Sequence, residues 1–252
     1  MKTKPNLFIL GGPKCGTTAF VHMLKQHKSI KWASHKEIDY FCKDIKILHK
    51  SSAVKNSTQY LRKYFNFEKK NYHYNGEGSP FYLYSRVAIK NILKFNSKSK
   101  FIILIRNPVS MSYTLHNMLN FAGQEPEGNF MNAWNLQTKR LKIKPGDKLY
   151  NKYNELFQYK KICSLGTQLI RAKKIIPKKN LLILSYNDLQ KNYKKVLKKT
   201  FIFLNINYQL VDSKKVNKSI IINSEIIKKI LSSSFSKNLR DKIVNIFNIK
   251  SL

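Results

Sequence analysis

Short apolar runs bounded by polar turns alternate along this chain with longer segments in which apolar residues recur at helical spacing. The runs predict five strands, near residues 6–11, 29–33, 73–77, 100–105 and 180–185. The periodic segments predict helices near residues 17–27, 58–66, 81–95, 108–121, 129–142, 157–175 and 188–204. Because strands alternate with helices, we expect an α/β fold with a central parallel sheet that helices flank on both faces.

A glycine-rich loop lies between the first predicted strand and the first predicted helix. From Gly11 to Thr18 it follows the phosphate-binding pattern G-x-x-x-x-G-K-[ST], except that Thr17 stands in place of the lysine and the lysine is Lys14. Backbone N–H groups and a helix N-terminus converge in such a loop, so it forms a cradle for an anion. The sequence therefore predicts a phosphate or sulfate site on a P-loop-like central sheet.

The end of the fourth predicted strand indicates how this anion is handled. In nucleoside triphosphatases an aspartate after a later apolar strand helps to hold Mg²⁺, whereas the run 100–106 ends in Arg106. Ligands bind at the carboxyl ends of strands in parallel sheets, so we expect the loop and Arg106 to face one ligand. We therefore predict that cations and amides bind the anion and that no metal is required.

The length of 252 residues fits one α/β domain that spans residues 1–252. No run approaches the roughly 20 consecutive apolar residues of a membrane span. The start of the chain leaves no room for a signal peptide before the first predicted strand. Three widely spaced cysteines, Cys15, Cys42 and Cys163, form no metal-ligand pattern and suit a reducing compartment. We expect a cytoplasmic protein without a membrane span.

The net charge of +35 would normally indicate an anionic partner such as a nucleic acid, a membrane surface or an acidic substrate. Only six of the 48 basic residues are arginines, however, and lysine is spread along almost the whole chain together with abundant Asn and Ile. AT-rich codon usage alone produces such a pattern. We expect no nucleic-acid partner, while a basic groove for an anionic acceptor and a merely solvated lysine-rich surface both remain open.

Four motifs follow one another along the chain. They are Pro13-Lys14-Cys15-Gly16-Thr17-Thr18, Lys36-Glu37-Ile38-Asp39-Tyr40-Phe41, Gly76-Glu77-Gly78-Ser79-Pro80-Phe81-Tyr82, and the segment from Arg106-Asn107-Pro108 to Thr114. In these motifs the chain resembles sulfotransferases that depend on 3′-phosphoadenosine 5′-phosphosulfate (PAPS). It is most similar to the glutamate-based branch, which includes heparan sulfate sulfotransferases and bacterial sulfotransferase-domain proteins. The resemblance extends over about residues 5–205.

The resemblance implies which residues bind PAPS. The glycine-rich loop resembles the family's 5′-phosphosulfate loop. The segment from Arg106 resembles its 3′-phosphate site, where Arg106 can make a bidentate contact and Thr114 can offer a hydroxyl. The C-terminal arginine-lysine-glycine loop of the cytosolic small-molecule enzymes is absent, and we expect Lys218 to close over the nucleotide instead. The predicted cofactor-binding residues are Pro13, Lys14, Cys15, Gly16, Thr17, Thr18, Arg106, Thr114 and Lys218.

Two residues are predicted to be catalytic. The ammonium group of Lys14 can neutralise the charge that develops on the leaving phosphate. Glu37 precedes Tyr40-Phe41 as a glutamate precedes an aromatic pair in the resembling branch, and it can take the proton from an acceptor hydroxyl. His35 is the competing base, because another branch of the superfamily uses histidine. The role of Glu77 stays open between a catalytic carboxylate and a buried turn residue.

The function implied is transfer of a sulfuryl group from PAPS to an acceptor hydroxyl, or to an amine, with a carbohydrate as a candidate acceptor. Gly78 stands where heparan-type members carry a lysine, which argues against a heparan-like acceptor. One alternative is an NTP-dependent kinase. It is disfavoured by Thr17 and because no aspartate follows the fourth predicted strand. The other is a basic nucleic-acid-binding protein without enzymatic activity. Mg²⁺ dependence would indicate the kinase, and salt-sensitive DNA or RNA binding without PAPS binding would indicate the nucleic-acid binder.

Overall fold

Five parallel strands form one sheet in the computed structural model, which describes residues 4–45, 54–65, 72–147, 150–151 and 153–212. The strands are β1 (Leu7–Gly11), β2 (Ile30–Trp32), β3 (Tyr74–Gly78), β4 (Lys100–Ile105) and β5 (Leu181–Ser185). Their spatial order is β2-β3-β1-β4-β5, and every neighbouring pair is parallel. The predicted α/β fold with a central parallel sheet is confirmed, and each predicted strand is present.

The two strands at the centre of the sheet are apolar along almost their whole length. Residues 7–10 of β1 and residues 101–104 of β4 are fully buried. A strand that is covered on both faces has no solvent side, so its sequence is a continuous apolar run and does not alternate. The hydrophobic core therefore lies along β1 and β4, which also explains why their sequences predict strands so clearly.

Helices connect the strands of this sheet along the chain. Within the described residues they are α1 (Thr17–Leu24), α2 (Ser57–Tyr64), α3 (Phe81–Tyr84), α4 (Ala88–Phe95), α5 (Pro108–Phe121), α6 (Phe130–Asn135), α7 (Gln137–Lys142), α8 (Tyr159–Cys163), α9 (Leu165–Ile175), α10 (Tyr186–Lys191) and α11 (Tyr193–Leu204). Short 3-10 helices span Asn154–Phe157 and Lys178–Asn180. The predicted helix at 108–121 has these bounds in the structure.

Four predicted helices, at 81–95, 129–142, 157–175 and 188–204, are each divided in the structure. Polar side chains explain two of the divisions. Ser85 ends α3, and its Oγ accepts hydrogen bonds from the N–H groups of Val87, which precedes α4, and of Ala88, which begins it. The side chain of Asn192 accepts a hydrogen bond from the Lys195 N–H and caps α11. Such local side-chain bonds compete with a continuous helix, and apolar periodicity does not reveal them.

Two compact units make up the chain. The sheet unit comprises residues 1–107 and 164–214 and contains all five strands, and the helical unit comprises residues 108–163 and 215–252. The described helices of the helical unit are α5 to α8. The single domain predicted over residues 1–252 stays a prediction. Within the described ranges, no helix is both long enough and apolar enough to cross a membrane.

A buried ion pair organises the helical unit. Arg140 on α7 donates two hydrogen bonds to the Glu125 carboxylate, from Nη1 at 2.7 Å and from Nη2 at 2.6 Å. The Tyr159 hydroxyl donates to the same carboxylate at 2.6 Å, and the guanidinium lies 4.7 Å from the ring centroid of Phe157. Both charged side chains are almost fully buried, so each compensates the charge of the other where water is excluded.

Arg140→Met should lower the free energy of unfolding by roughly 3–5 kcal/mol, because it leaves the buried Glu125 carboxylate without its cation. The exposed neighbour Lys139 lies on the same helix and provides the matched control. Lys139→Met should change the free energy of unfolding by no more than about 0.5 kcal/mol. Urea denaturation of both variants and the wild type measures the two values. Equally small effects would show that the ion pair contributes little to stability.

Candidate active site

The anion cradle is the loop between β1 and α1. Its backbone turns through two left-handed residues, Lys14 at φ 64° and Gly16 at φ 81°. The Cys15 N–H donates to the Gly12 carbonyl at 3.2 Å and closes the turn. Because α1 begins directly after Gly16, the N–H groups of its first turn have no acceptor inside the helix. These amides and the positive end of the helix dipole give the loop the chemistry of an anion site.

The predicted cradle residues contribute in different ways to this geometry. Pro13 has no N–H, and the Cys15 N–H is bonded within the loop, so these two residues shape the turn. Burial raises the pKa of the Cys15 thiol to about 12, which keeps the thiol neutral. The N–H groups of Gly16, Thr17 and Thr18 lie at the start of α1, where they can donate hydrogen bonds to a bound anion. The two threonine hydroxyls add donors at the same place.

Glycine is required at position 16 for two physical reasons. A side chain is strained at φ 81°, and a Cβ atom at this position would lie 2.6 Å from the nearest ring carbon of Tyr186. Tyr186 is the first residue of α10 and directly follows β5. Its ring therefore packs against the bend of the cradle.

Arg106 follows β4 and lies against the same loop. Its Nη1 donates to the Lys14 carbonyl at 3.0 Å, and its guanidinium lies 4.6 Å from the ring centroid of Tyr186. The strand register explains this arrangement. Ile105 is paired with Ser185, so Arg106 and Tyr186 leave neighbouring strands side by side. The structure thus brings Arg106 to the cradle and adds Tyr186, which has no predicted role in the site.

Lys14 lies in a positively charged environment. Burial lowers the pKa of its ammonium group, and the charge of Arg106 lowers the pKa further, whereas the carboxylate of Glu37 opposes the shift. These three side chains therefore lie close enough to interact electrostatically. Two cations that repel each other beside a helix N-terminus are both stabilised when an anion binds between them. The arrangement is suited to a ligand with more than one negative charge.

Glu37 lies in the segment that follows β2. Its backbone is left-handed at φ 59°, and its N–H donates to the Gly78 carbonyl at the end of β3, at 3.0 Å. The side chain is 48% exposed and forms an ion pair with Lys36. The backbone of Glu37 is therefore anchored to the sheet, while its carboxylate remains accessible to a substrate.

Glu77, in contrast, is closed off from solvent. It lies in β3 with no exposed surface, and it accepts hydrogen bonds from the hydroxyls of Tyr60, of Tyr82 at 2.5 Å and of Ser79 at 3.4 Å. Burial raises the pKa of Glu77 to about 7, against the opposing effect of these three hydrogen bonds. A carboxylate without accessible surface cannot contact an acceptor directly. Of the two roles left open for Glu77, the geometry favours the buried residue.

Asp39 lies near both glutamates and has no predicted role. Burial raises the pKa of Asp39 to about 7, and the charges of Glu37 and Glu77 add to the shift. Its Oδ1 has no hydrogen-bond partner among the described residues. Although three carboxyl groups lie in this region, the described ranges contain no group of three His, Cys, Asp or Glu side chains that could hold a metal ion. A metal-free site stays a prediction.

The remaining predicted residues are His35, Thr114 and Lys218. His35 is exposed, and its ring packs edge-on against Tyr64 with the centroids 5.5 Å apart. Thr114 belongs to the helical unit, where its hydroxyl donates to the Ser110 carbonyl at 2.6 Å. Lys218 lies outside the described residues. The contributions of Thr114 and Lys218 to binding stay predictions.

Comparison with known proteins adds three findings. A crystal structure of a sulfotransferase from Alicyclobacillus acidocaldarius has a TM-score of 0.72 at 18% sequence identity, and the match covers 98% of this chain and 92% of that chain. A membrane-associated sulfotransferase, kil1, from Dictyostelium discoideum is 29% identical over 115 residues. That match covers 45% of this chain and 22% of the relative's length. The family model of the sulfotransferase domain matches residues 4–249, and the chain therefore belongs to the sulfotransferase domain family.

Proposed function

We propose that this protein transfers a sulfuryl group from PAPS to a hydroxyl group of an acceptor. The observation that carries the proposal is the meeting of Lys14 and Arg106 at the cradle, with Glu37 close enough to shift the pKa of Lys14. PAPS carries a 5′-phosphosulfate and a 3′-phosphate, and the two cations offer a positive group to each. Membership of the family supports sulfuryl transfer in general. The identity of the donor, the base and the acceptor belongs to our proposal.

In this proposal the phosphosulfate of PAPS binds in the cradle. The amides at the start of α1 and the hydroxyls of Thr17 and Thr18 bind its oxygens. Arg106 binds the 3′-phosphate, for which its planar guanidinium is suited because it can donate two parallel hydrogen bonds. Stacking on Tyr186 and the bond to the Lys14 carbonyl hold the guanidinium in place before the ligand binds. The resemblance implies that Thr114 and Lys218 also contribute to nucleotide binding.

The transfer proceeds in line. The acceptor oxygen forms a bond to sulfur, the bond between sulfur and the bridging oxygen breaks, and the leaving phosphate of 3′-phosphoadenosine 5′-phosphate (PAP) keeps the electron pair. Lys14 stabilises the negative charge that accumulates on the bridging oxygen. Glu37 takes the proton of the attacking hydroxyl, for which its carboxylate must lie within about 3 Å of that hydroxyl. The side chain of Lys36 forms an ion pair with this carboxylate.

We propose a hydroxyl-bearing acceptor, with a carbohydrate as the candidate that the glutamate-based branch suggests. Incubation with ³⁵S-labelled PAPS and a lysate of the source organism would identify the acceptor by its label. We also propose a cytoplasmic location, because the three cysteines are widely spaced along the chain, as suits a reducing compartment. The relative from Dictyostelium is named a membrane-associated protein.

PAP should bind without Mg²⁺ and raise the melting temperature, because a ligand that binds only the native state stabilises it. Arg106→Ala should lose most of this shift, since removal of one charged hydrogen-bond partner costs about 1.5–3 kcal/mol. Thermal denaturation with and without PAP measures both effects. Arg62→Ala, at an exposed position on α2, is the matched control and should keep the full shift. A shift with ATP–Mg²⁺ but none with PAP would instead indicate the kinase.

Lys14→Ala should reduce kcat more than it weakens PAP binding. The ammonium group interacts most strongly with charge that appears on the leaving phosphate in the transition state, so its removal affects the chemical step. Steady-state kinetics and PAP titration of the same preparation separate the two quantities. Lys25→Ala, at the exposed position that follows α1, controls for the loss of one positive charge. A defect confined to nucleotide affinity would make Lys14 a binding residue only.

Glu37→Gln should leave PAP affinity unchanged and lower turnover by roughly 10²–10⁴-fold, because an amide of the same size cannot accept the proton. Turnover and PAP binding are measured side by side. His35→Asn tests the competing base and should retain substantial activity. Normal turnover of Glu37→Gln together with an inactive His35→Asn variant would assign the proton transfer to His35.

A further inference from the structure

Glu77 lies at the centre of a hydrogen-bonded cluster next to residues 37–41, the segment that carries Glu37 and is called the base loop below. The Glu77 carboxylate is wholly buried and forms no ion pair with a described residue. The hydroxyls of Tyr60, Ser79 and Tyr82 donate to it instead. An ionised carboxylate can only accept hydrogen bonds, so it orients the O–H of each of these three residues toward itself.

Two of these hydroxyls also bind the backbone of the base loop. Ser79 Oγ accepts the Asp39 N–H at 3.1 Å, and the Tyr82 hydroxyl accepts the Phe41 N–H at 3.5 Å. A hydroxyl that gives its hydrogen to Glu77 keeps its lone pairs for an N–H donor. The charge of Glu77 therefore determines that both hydroxyls act as acceptors toward the base loop.

The third hydroxyl residue contacts the base loop through its ring. Tyr60 stacks on Tyr40, with ring centroids 4.4 Å apart and an interplanar angle of 15°. The bond from Tyr60 to Glu77 fixes the ring that forms this stack. Gly78 directly follows Glu77 in the sequence, and its carbonyl accepts a hydrogen bond from the Glu37 N–H at 3.0 Å. The base loop is thus held at several points by residues that surround one carboxylate.

The backbone of the base loop needs such support. Glu37 at φ 59° and Asp39 at φ 54° both occupy the left-handed region, which is unfavourable for residues with a side chain. Strained conformations of this kind persist only where the surroundings impose them. Loss of the bonds around Glu77 would let the loop relax and would turn the Glu37 carboxylate away from its present direction.

We propose that Glu77 is a positioning residue, whose buried carboxylate orients Tyr60, Ser79 and Tyr82 so that they hold the base loop and direct Glu37 toward the acceptor. This inference rests on the proposed function, in which Glu37 takes the proton. Glu77 itself contacts neither substrate nor donor. Its effect on the reaction passes through the backbone of the base loop.

The pH dependence follows from the charge that the cluster requires. Burial raises the pKa of Glu77 to about 7, and below this pH the protonated carboxyl becomes a donor that competes with the hydroxyls. Turnover should therefore rise as the pH increases through 7. The free energy of unfolding should change in the opposite direction. The folded protein holds this proton more tightly than the unfolded chain, so stability falls as the pH rises from the ordinary glutamate range to 7.

Other titratable groups face the same cluster, namely Asp39, Cys42, Tyr60 and Tyr82, with Glu37 and Lys36 beside Asp39. Burial raises the pKa values of Cys42, Tyr60 and Tyr82 well above their usual range, so these three stay neutral. Asp39 is the competing source of a transition near neutral pH, because its pKa is also raised to about 7. The experiment must therefore separate Asp39 from Glu77.

Tyr60→Phe and Tyr82→Phe each remove one hydroxyl and keep the ring, and each should lower kcat at neutral pH by roughly 10²-fold while PAP affinity stays unchanged. The midpoint of the rise in kcat should move to higher pH, because these hydrogen bonds lower the pKa of Glu77. Tyr64→Phe on the same helix is the matched control, since the Tyr64 hydroxyl has no hydrogen bond to a described residue. It should change neither kcat nor the midpoint.

The Glu77→Gln variant should show no rise in kcat near pH 7. If this buried substitution prevents folding, Tyr60→Phe and Tyr82→Phe still test the proposal. Asp39→Asn should retain the rise. Its disappearance in that variant would assign the transition to Asp39 and overturn the proposal. Unchanged kcat and an unchanged midpoint in Tyr60→Phe and Tyr82→Phe would overturn it as well.

Amide hydrogen exchange of the base loop separates this inference from the proposed function, because it needs no activity. Exchange at residues 37–41 should be faster in Tyr60→Phe and Tyr82→Phe than in the wild type or in Tyr64→Phe. Faster exchange combined with an active Glu37→Gln variant would show that Glu77 positions the loop and that Glu37 is not the base. Unchanged exchange in both variants would contradict the positioning role whatever the base is.

Discussion

The parallel pairing of β1 with β3 on one side and with β4 on the other determines which side chains can meet in this protein. The cradle follows β1, the residues around Glu77 end β3, and Arg106 follows β4. Because the three strands are parallel and adjacent, these ends lie at one edge of the sheet. The cradle alone would be a general anion site. Its neighbours on either side supply a cation from one strand and the anchor for a carboxylate from the other.

The sites of arginine in this lysine-rich chain also have a physical meaning. Arg106 contacts a carbonyl and an aromatic face, and Arg140 makes a bidentate contact with a buried carboxylate. Arg171 donates from one nitrogen to three carbonyls at the end of α3, those of residues 83–85. A planar guanidinium can donate two parallel hydrogen bonds to one carboxylate, whereas an ammonium group is a point charge without this planar fork. Codon usage can account for the abundant lysines, whereas Arg106, Arg140 and Arg171 each make several contacts through the guanidinium group.

The sequence predicts the strands and the anion loop because both leave local signals. Buried strands such as β4 are continuous apolar runs, and the loop has a fixed spacing of glycines. The sequence does not predict the divisions at Ser85 and Asn192, since they depend on backbone N–H groups that donate to one side chain, and apolar periodicity is insensitive to such bonds. The contact of Tyr186 with the cradle could not be read from the sequence either, because it depends on the register between β4 and β5.

The left-handed backbones of Lys14 and Glu37 have a consequence for the evolution and engineering of this protein. Each conformation costs of the order of 1 kcal/mol for a residue with a side chain, and glycine would adopt it without that strain. Both positions therefore favour glycine when stability alone is selected. A library screened only for thermal resistance would tend to replace the two side chains that the proposed chemistry needs. At these two positions, selection for stability would favour glycine, whereas selection for activity would favour lysine and glutamate.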